Sequence, residues 1–165
     1  MLKNCHAILL YATINNNKCL KTSINITIYR KWEFAHKTTA MNLFKYSVSV
    51  VDDSASMRQA LGIALQGAGY DVLASCDGVD ALAKLKGQKV NLIISEVNMP
   101  NMDGISVLKA VKLMPAYKLT PAIMLTTVYG EERKAEGRAA GARAWVCKPF
   151  APQQLVDAVQ RSCLP

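Results

Sequence analysis

The chain has 165 residues, which is enough for one ordinary domain with a substantial core and too few for two large ones. Its net charge of +8 is uneven: residues 1–45 hold seven Lys/Arg and the single acid Glu33, a net +6, whereas the remainder is nearly balanced. No apolar run approaches the roughly 20 residues of a membrane span, so no membrane partner is expected.

The cysteines indicate neither a zinc site nor a disulfide framework. They are scattered, with no CxxC pair and no His at ligand spacing, and this use of cysteine is typical of the reducing cytoplasm. The five are Cys5, Cys19, Cys76, Cys147 and Cys163.

Residues 1–44 differ in composition from residues 45–165 and are treated as a basic leader that is disordered or not part of the protein. They are rich in Asn, Lys, Ile and Thr, and hold six of the nine asparagines. Two explanations compete: a basic arm for nucleic acid or membrane, or a start codon placed too far upstream, with the true start near Met41. The second is favoured because basic residues are not clustered around aromatics. The isolated run "INITIY" is compatible with a strand.

From Ser47 the pattern alternates between strand and helix. "SVSVV" predicts a first strand; apolar residues at helical spacing follow, and "GAGYD" ends that helix. "YDVLAS" predicts the second strand. Asp77 is expected to cap the next helix, whose apolar positions include Val79, Leu82 and Leu85. The spacing of the first helix comes from Met57, Ala60, Leu61, Ala64, Leu65 and Ala68.

The second half of the chain continues the alternation. "VNLIIS" is almost wholly apolar, as expected of a strand covered on both faces. A helix from about Gly104 should turn Ile105, Leu108 and Val111 inward. The remaining elements are the strand "PAIMLT", the polar helix "EERKAEGRAA", the strand "ARAWVC" and the helix "PQQLVDAVQRSC", the last with Leu155, Val156, Val159 and Cys163 on one side.

Five strand and helix pairs predict an α/β fold, a doubly wound parallel sheet with helices on both faces in three layers. Parallel neighbours need crossover connections, and the helices supply them. Ligands of such sheets bind at the carboxyl ends of the strands. The candidate functional residues are therefore those that follow the strands.

Acids, hydroxyls and a lysine follow four of the predicted strands. Taken singly, an Asp pair is usually a turn or cap, a Thr is structural and a Lys is solvated. Together they predict a Mg²⁺ site, because clustered carboxylates need a cation and Mg²⁺ prefers oxygen ligands and phosphate. Hydroxyl and ammonium groups opposite would hold a phosphoryl group. The residues are Asp52 and Asp53, Glu96, Thr126 and Thr127, and Lys148 followed by Pro149.

These residues resemble the receiver domains of two-component response regulators, most closely the stand-alone chemotaxis (CheY-type) proteins. The resemblance spans roughly Ser47 to Leu164 and implies a flavodoxin-like (βα)5 fold with strand order 2-1-3-4-5. It is carried by the segments "VVDDSASMRQAL", "GYDV", "DGVDALAKL", "NLIISEVNMPNMDGISVLKAVK", "TPAIMLTT", "EGRAAGARAWVCKPF" and "PQQLVDAV".

The resemblance also implies roles for the site residues. Asp52, Asp53 and the residue-96 carboxylate would bind Mg²⁺ together with the backbone carbonyl of Asn98. Thr126 matches the switch hydroxyl and Lys148 the phosphate-sensing lysine, with a cis bond to Pro149. Trp145 stands at the aromatic position that changes rotamer on activation, and Thr127 belongs to the same phosphate site.

Glu96 departs from the family, whose phosphoacceptor at this position is an aspartate. Its extra methylene moves the carboxylate by about 1.5 Å, and a misplacement of ~1 Å can slow a transfer roughly a hundredfold. We therefore expect a poor acceptor that partly imitates the phosphorylated state. Glu96 either binds the metal with Asp52 and Asp53, which leaves the domain inactive, or reaches Lys148 and Thr126, which holds it on.

The expected function is that of a cytoplasmic single-domain response regulator that acts by protein contact. Because the sequence ends at Pro165, no output domain is expected, and the contact face would comprise the fourth strand, the fourth helix and the fifth strand, including Trp145. A chemotaxis-type histidine kinase and a motor-switch or other target protein would be the partners. A non-phosphorylated pseudo-receiver that only docks is the alternative. An enzyme is not expected, because "DDSAS" lacks a phosphatase's spaced aspartates and a flavodoxin's phosphate loop.

Overall fold

The computed structural model describes residues 46–127 and 130–163, in which strands and helices alternate. The strands are β1 (Ser47–Val51), β2 (Asp71–Ser75), β3 (Leu92–Glu96), β4 (Ala122–Thr126) and β5 (Ala144–Cys147). The helices are α1 (Ala55–Gly67), α2 (Gly78–Leu85), α3 (Gly104–Leu113), α4 (Glu131–Ala139) and α5 (Pro152–Cys163), with a short 3₁₀ turn at Pro115–Tyr117 between α3 and β4.

The five strands form one parallel sheet in the order β2-β1-β3-β4-β5. β1 lies beside both β2 and β3, with Val51 opposite Ser75 on one side and Ser95 on the other. The predicted parallel α/β fold is confirmed, and so is the strand order that the resemblance implied. All carboxyl ends of the strands meet at one edge, called the carboxyl edge below.

The core has two layers, one on each face of the sheet, because side chains alternate along each strand. Val48, Val50 and Ile94 pack on one side with the buried leucines of α1 and α5. Val51 and Ile93 pack on the other side with the apolar faces of α2 and α3. A sheet buried on both faces explains why β3 and β4 are apolar and fully buried.

Capping residues start three helices at the carboxyl edge. The side chains of Ser54, Asp77 and Asp103 accept hydrogen bonds from backbone N–H groups in the first turns of α1, α2 and α3. α3 begins very close to the end of β3: a Cβ on Gly104 would lie 2.0 Å from the carbonyl oxygen of Glu96. The glycine therefore lets the loop after Glu96 close tightly.

Not every apolar position named from helical spacing is buried. Val79 on α2 is 59% exposed, whereas Ala81 is buried beside Leu85, and Ala60 on α1 is exposed. α2 starts at Gly78, so Val79 lies in its first turn on the solvent side. The other inward positions named for α3 and α5 are buried or half-buried.

Several sequence-based predictions fall outside the described residues, among them the basic leader of residues 1–44 and the run "INITIY". The three cysteines within the described ranges, Cys76, Cys147 and Cys163, are free thiols. No helix in residues 46–127 and 130–163 is both long and apolar enough to cross a bilayer.

Candidate phosphoacceptor site at the carboxyl edge

Four strands each deliver one functional side chain to the carboxyl edge. Asp52 directly follows β1, Glu96 and Thr126 are the last residues of β3 and β4, and Lys148 directly follows β5. Asp52, Glu96 and Thr126 are buried, with relative exposures of 0%, 5% and 1%. Buried carboxylates require partners, because an unpaired buried charge is strongly unfavourable.

The ammonium group of Lys148 is that partner for both acids. Its Nζ lies 2.7 Å from Oδ2 of Asp52 and forms a second, close ion pair with Oε2 of Glu96. Burial alone lowers the pKa of Lys148, but the hydrogen bonds and charges of Asp52 and Glu96 outweigh it, so the pKa is raised above its usual 10.5. Lys148 is therefore charged in the folded protein and joins the two carboxylates, a group that we call the ion triad.

The remaining carboxylate oxygens of the ion triad bind backbone amides. Oδ1 of Asp52 accepts a hydrogen bond of 2.9 Å from the amide of Ser54. Oε1 of Glu96 accepts hydrogen bonds from the amides of Val97 at 2.8 Å and Asn98 at 3.2 Å. Each acid thus binds Lys148 through one carboxylate oxygen and backbone amides after its strand through the other. These contacts fix the orientation of both side chains.

Asp53, Thr127 and Asn98 lie at the exposed rim of the site. The rim turn after β1 is held by Arg58, whose guanidinium donates to the carbonyls of Asp52 at 2.7 Å and Asp53 at 3.0 Å. The sequence analysis did not name Arg58. A basic residue near the start of α1, shortly after two adjacent acids, is a signal that could have identified it. Thr126 is connected to the ion triad through the backbone, since its carbonyl accepts the amide of Lys148 at 2.8 Å.

The predicted three-carboxylate metal site is only partly assembled. In residues 46–127 and 130–163, no three His, Cys, Asp or Glu residues are grouped in a way that could hold a metal ion. The donor chemistry nevertheless fits a hard cation, because Asp52, Asp53, Glu96 and the Asn98 carbonyl offer only oxygen. The ammonium of Lys148 occupies the space between two of these carboxylates.

Trp145 on β5 packs beneath α4, and its position depends on Gly137. A Cβ on Gly137 would lie 2.4 Å from Cζ2 of Trp145, so only glycine leaves room for the ring. The indole Nε1 is buried and has no hydrogen-bond partner among the described residues. Sequence reasoning singled out Trp145 but missed Gly137. The Lys148–Pro149 peptide bond, which follows β5, is cis.

Comparison with known proteins points to one family. Residues 48–160 match the response regulator receiver domain. The chain is 37% identical over 113 residues to protein PilG of Pseudomonas aeruginosa, an alignment that covers 68% of this chain and 84% of PilG. It is 36% identical to a chemotaxis protein CheY homolog of Campylobacter jejuni, with coverages of 67% and 87%. The structure of chemotaxis response regulator CheY4 of Vibrio cholerae matches with a TM-score of 0.69 and 47% identity, over 72% of this chain and 98% of CheY4.

Proposed function

We propose that this chain, which belongs to the response regulator receiver domain family, signals by protein contact in a state that does not depend on phosphorylation of residue 96. The chain is a receiver domain of a two-component response regulator, and chemotaxis proteins of the CheY type are among its relatives. Receiver domains are typically signalling modules without an enzymatic output. The proposal concerns what this receiver does with a glutamate in place of the acceptor aspartate.

The observation that carries the proposal is the ion pair between Glu96 and Lys148. A phosphoryl group on residue 96 would present oxygens to a cation at this edge, and the longer side chain of glutamate presents its own oxygen to Lys148 instead. The carboxylate supplies one negative charge, whereas a phosphoryl group supplies about 1.5 to 2. Glu96 therefore provides part of the active-state interaction at all times.

The same contacts make Glu96 a poor phosphoacceptor. Its Oε2 is engaged by Lys148 and its Oε1 by two backbone amides. An attack on a phosphodonor would require an oxygen to leave these partners, and the carboxylate would also be displaced by about 1.5 Å from the position of an aspartate carboxylate. Transfer depends on near-attack placement, so displacement on this scale slows it strongly.

Receiver domains generally bind Mg²⁺ at the phosphorylation site, and the residues that would hold it in this chain are Asp52, Asp53, Glu96 and the Asn98 carbonyl. When bound, Mg²⁺ neutralises charge on the oxygens of a phosphoryl group or its donor. Asp53 is the exposed carboxylate of this set. Asp52 and Glu96 would bind the metal through oxygens that now accept hydrogen bonds from Lys148 and from backbone amides.

The output would be a contact with a target protein through the face of β4, α4 and β5. A groove of about 660 Å³ opens beside β5 and α5, with Trp145, Pro149 and Arg161 in its lining. A chemotaxis-type histidine kinase would act upstream, and a motor-switch or other target protein would bind this face. We propose a cytoplasmic location on the same basis, since these partners act there.

The test is the intact mass of the protein after incubation with acetyl phosphate and Mg²⁺. The native chain should remain unmodified, and Glu96→Asp should gain one phosphoryl group. Glu96→Gln, which keeps the length of the side chain and removes its charge, should also remain unmodified and serves as the control. If the native chain is modified at Glu96, the proposal is wrong.

A second measurement separates constitutive signalling from simple docking. Target binding without a phosphodonor should be stronger for the native chain than for Glu96→Gln, because only the native chain has the Glu96–Lys148 ion pair. Equal binding by both proteins would instead support the alternative, a pseudo-receiver that docks independently of its site. Absence of modification in Glu96→Asp would favour the same alternative.

A further inference from the structure

The edge of the sheet opposite the carboxyl edge carries lysines and exposed leucines that the receiver function does not use. Two loops lie at this edge, residues 86–91 after α2 and residues 114–121 after α3, and neither contains an acid. Together they hold three lysines. The acids of the ion triad lie at the other edge, whereas Asp71, at the start of β2, is an exposed acid at this one.

The two loops are held side by side by Tyr117. Its buried hydroxyl bonds to the carbonyl oxygens of Leu85 and Gln88, at the end of α2. The turn after α3 is fixed a second time by Lys112, whose ammonium donates to the carbonyls of Lys118 and Thr120 at 3.2 and 2.6 Å. The side chains that project from these turns therefore have a defined arrangement.

Five exposed residues form what we call the basic apolar surface: Leu113, Leu119, Lys86, Lys89 and Lys118. The leucines are 85% and 91% exposed, more than any other large apolar side chain among the described residues. None of the three lysines forms an ion pair with another residue in ranges 46–127 and 130–163. A favourable interaction with a helix C-terminus accounts for lysines near helix ends, but it does not account for the leucines.

We propose that the basic apolar surface binds peripherally to an anionic lipid bilayer. Unpaired ammonium groups are attracted to acidic headgroups, and adjacent leucines can enter the boundary between headgroups and acyl chains. Leu113 ends α3 and Leu119 follows the 3₁₀ turn, so both leucines lie at the connection between α3 and β4. The expectation of no membrane partner came from the lack of a spanning segment, and a surface that lies on a bilayer needs none.

This orientation would leave the receiver site accessible. The ion triad and the exposed Asp53 lie at the carboxyl edge, on the far side of the sheet from the bilayer, so the kinase and acetyl phosphate can still approach. Acidic headgroups would also be kept away from the site's own carboxylates. The proposal does not depend on whether Glu96 is phosphorylated.

The test is co-sedimentation of the full chain with vesicles of phosphatidylcholine containing half phosphatidylglycerol, compared with phosphatidylcholine alone. We expect binding to the anionic vesicles only, and weaker binding at high salt. Replacing Lys86, Lys89 and Lys118 by Gln should reduce partitioning by about fivefold per lysine, roughly a hundredfold together. The double variant Leu113→Ser, Leu119→Ser should also bind more weakly.

Ile63→Ser is the matched apolar control, because Ile63 is 65% exposed on α1, away from this surface, and it should bind as the native chain does. Circular dichroism of each variant checks that the fold is kept. The basic residues 1–45 are present in every protein compared, so they cannot account for a difference between variants. The proposal is overturned if the native chain does not bind anionic vesicles, or if the lysine variant binds as well as the native chain.

Discussion

Replacing Lys148 by methionine tests the ion triad directly. Methionine keeps most of the side chain's length and apolar volume while it removes the ammonium group. The side chain of Lys148 is only 13% exposed, and those of Asp52 and Glu96 are 0% and 6% exposed. The substitution would therefore leave two neighbouring carboxylates in a buried site without a compensating charge.

The expected loss of stability is large because the charges that remain cannot be solvated. Removing one partner of a buried ion pair typically costs about 3–5 kcal/mol, and in this site one ammonium compensates two acids. Backbone amides still bind one oxygen of each carboxylate, so we expect a loss within that range and not above it.

Urea denaturation at neutral pH measures the loss of stability. Lys134→Met is the matched control, because Lys134 pairs with Glu131 at 3.0 Å on the surface of α4, where Glu131 is largely exposed. The control should unfold almost as the native protein does. If Lys148→Met loses no more stability than the control, the ion triad is not a buried electrostatic unit.

Three further predictions concern pH and packing. The pKa of Lys148 is raised in the folded protein. The charge of Lys148 therefore contributes fully to stability below pH 10.5, and this contribution is lost as the pH rises through the folded-state pKa. Above pH 10.5, the free energy of unfolding of the native protein should fall by more than that of Lys148→Met. In Gly137→Ala, the added methyl group should push Trp145 toward solvent and shift its fluorescence emission maximum to longer wavelength. The emission is measured in a protein in which Trp32 is replaced by Phe, and an unchanged maximum would contradict the packing of Trp145 against Gly137. Gly62→Ala, in open space on α1, should raise stability by about 0.5–1 kcal/mol in urea denaturation, and a loss would contradict it.

The fold could be predicted because its signals are local and repeated. The apolar run that forms β3 is too short for a helix and too continuous for a half-exposed strand. It therefore predicted a strand that is buried on both faces of the sheet. Asp77 could be identified as a cap because capping needs only a short polar side chain before a helix. The spacing did not show that Val79 would be exposed, because a helix of eight residues, Gly78–Leu85, has too few turns to fix its buried face.

The site could be predicted as a set of residues but not as a set of contacts. Strand ends identify Asp52, Glu96 and Lys148 as neighbours, because all parallel strands end at one edge. Whether Glu96 turns toward a metal or toward Lys148 depends on distances of about one methylene, which spacing along the chain does not encode. The dependence of Trp145 on Gly137 was hidden for a similar reason, since the two meet only when α4 packs against β5.

The contact between Glu96 and Lys148 is one part of the second geometry that the sequence left open, in which Glu96 reaches Lys148 and Thr126. Lys148 is 96 residues from Asp52 along the chain and connects the loop after β5 to the turn after β1. Glu96, which ends the strand next to β1, binds the same ammonium. Lys148 therefore links the ends of three strands, β1, β3 and β5, and a group that approaches residue 96 meets a carboxylate whose Oε2 is already paired.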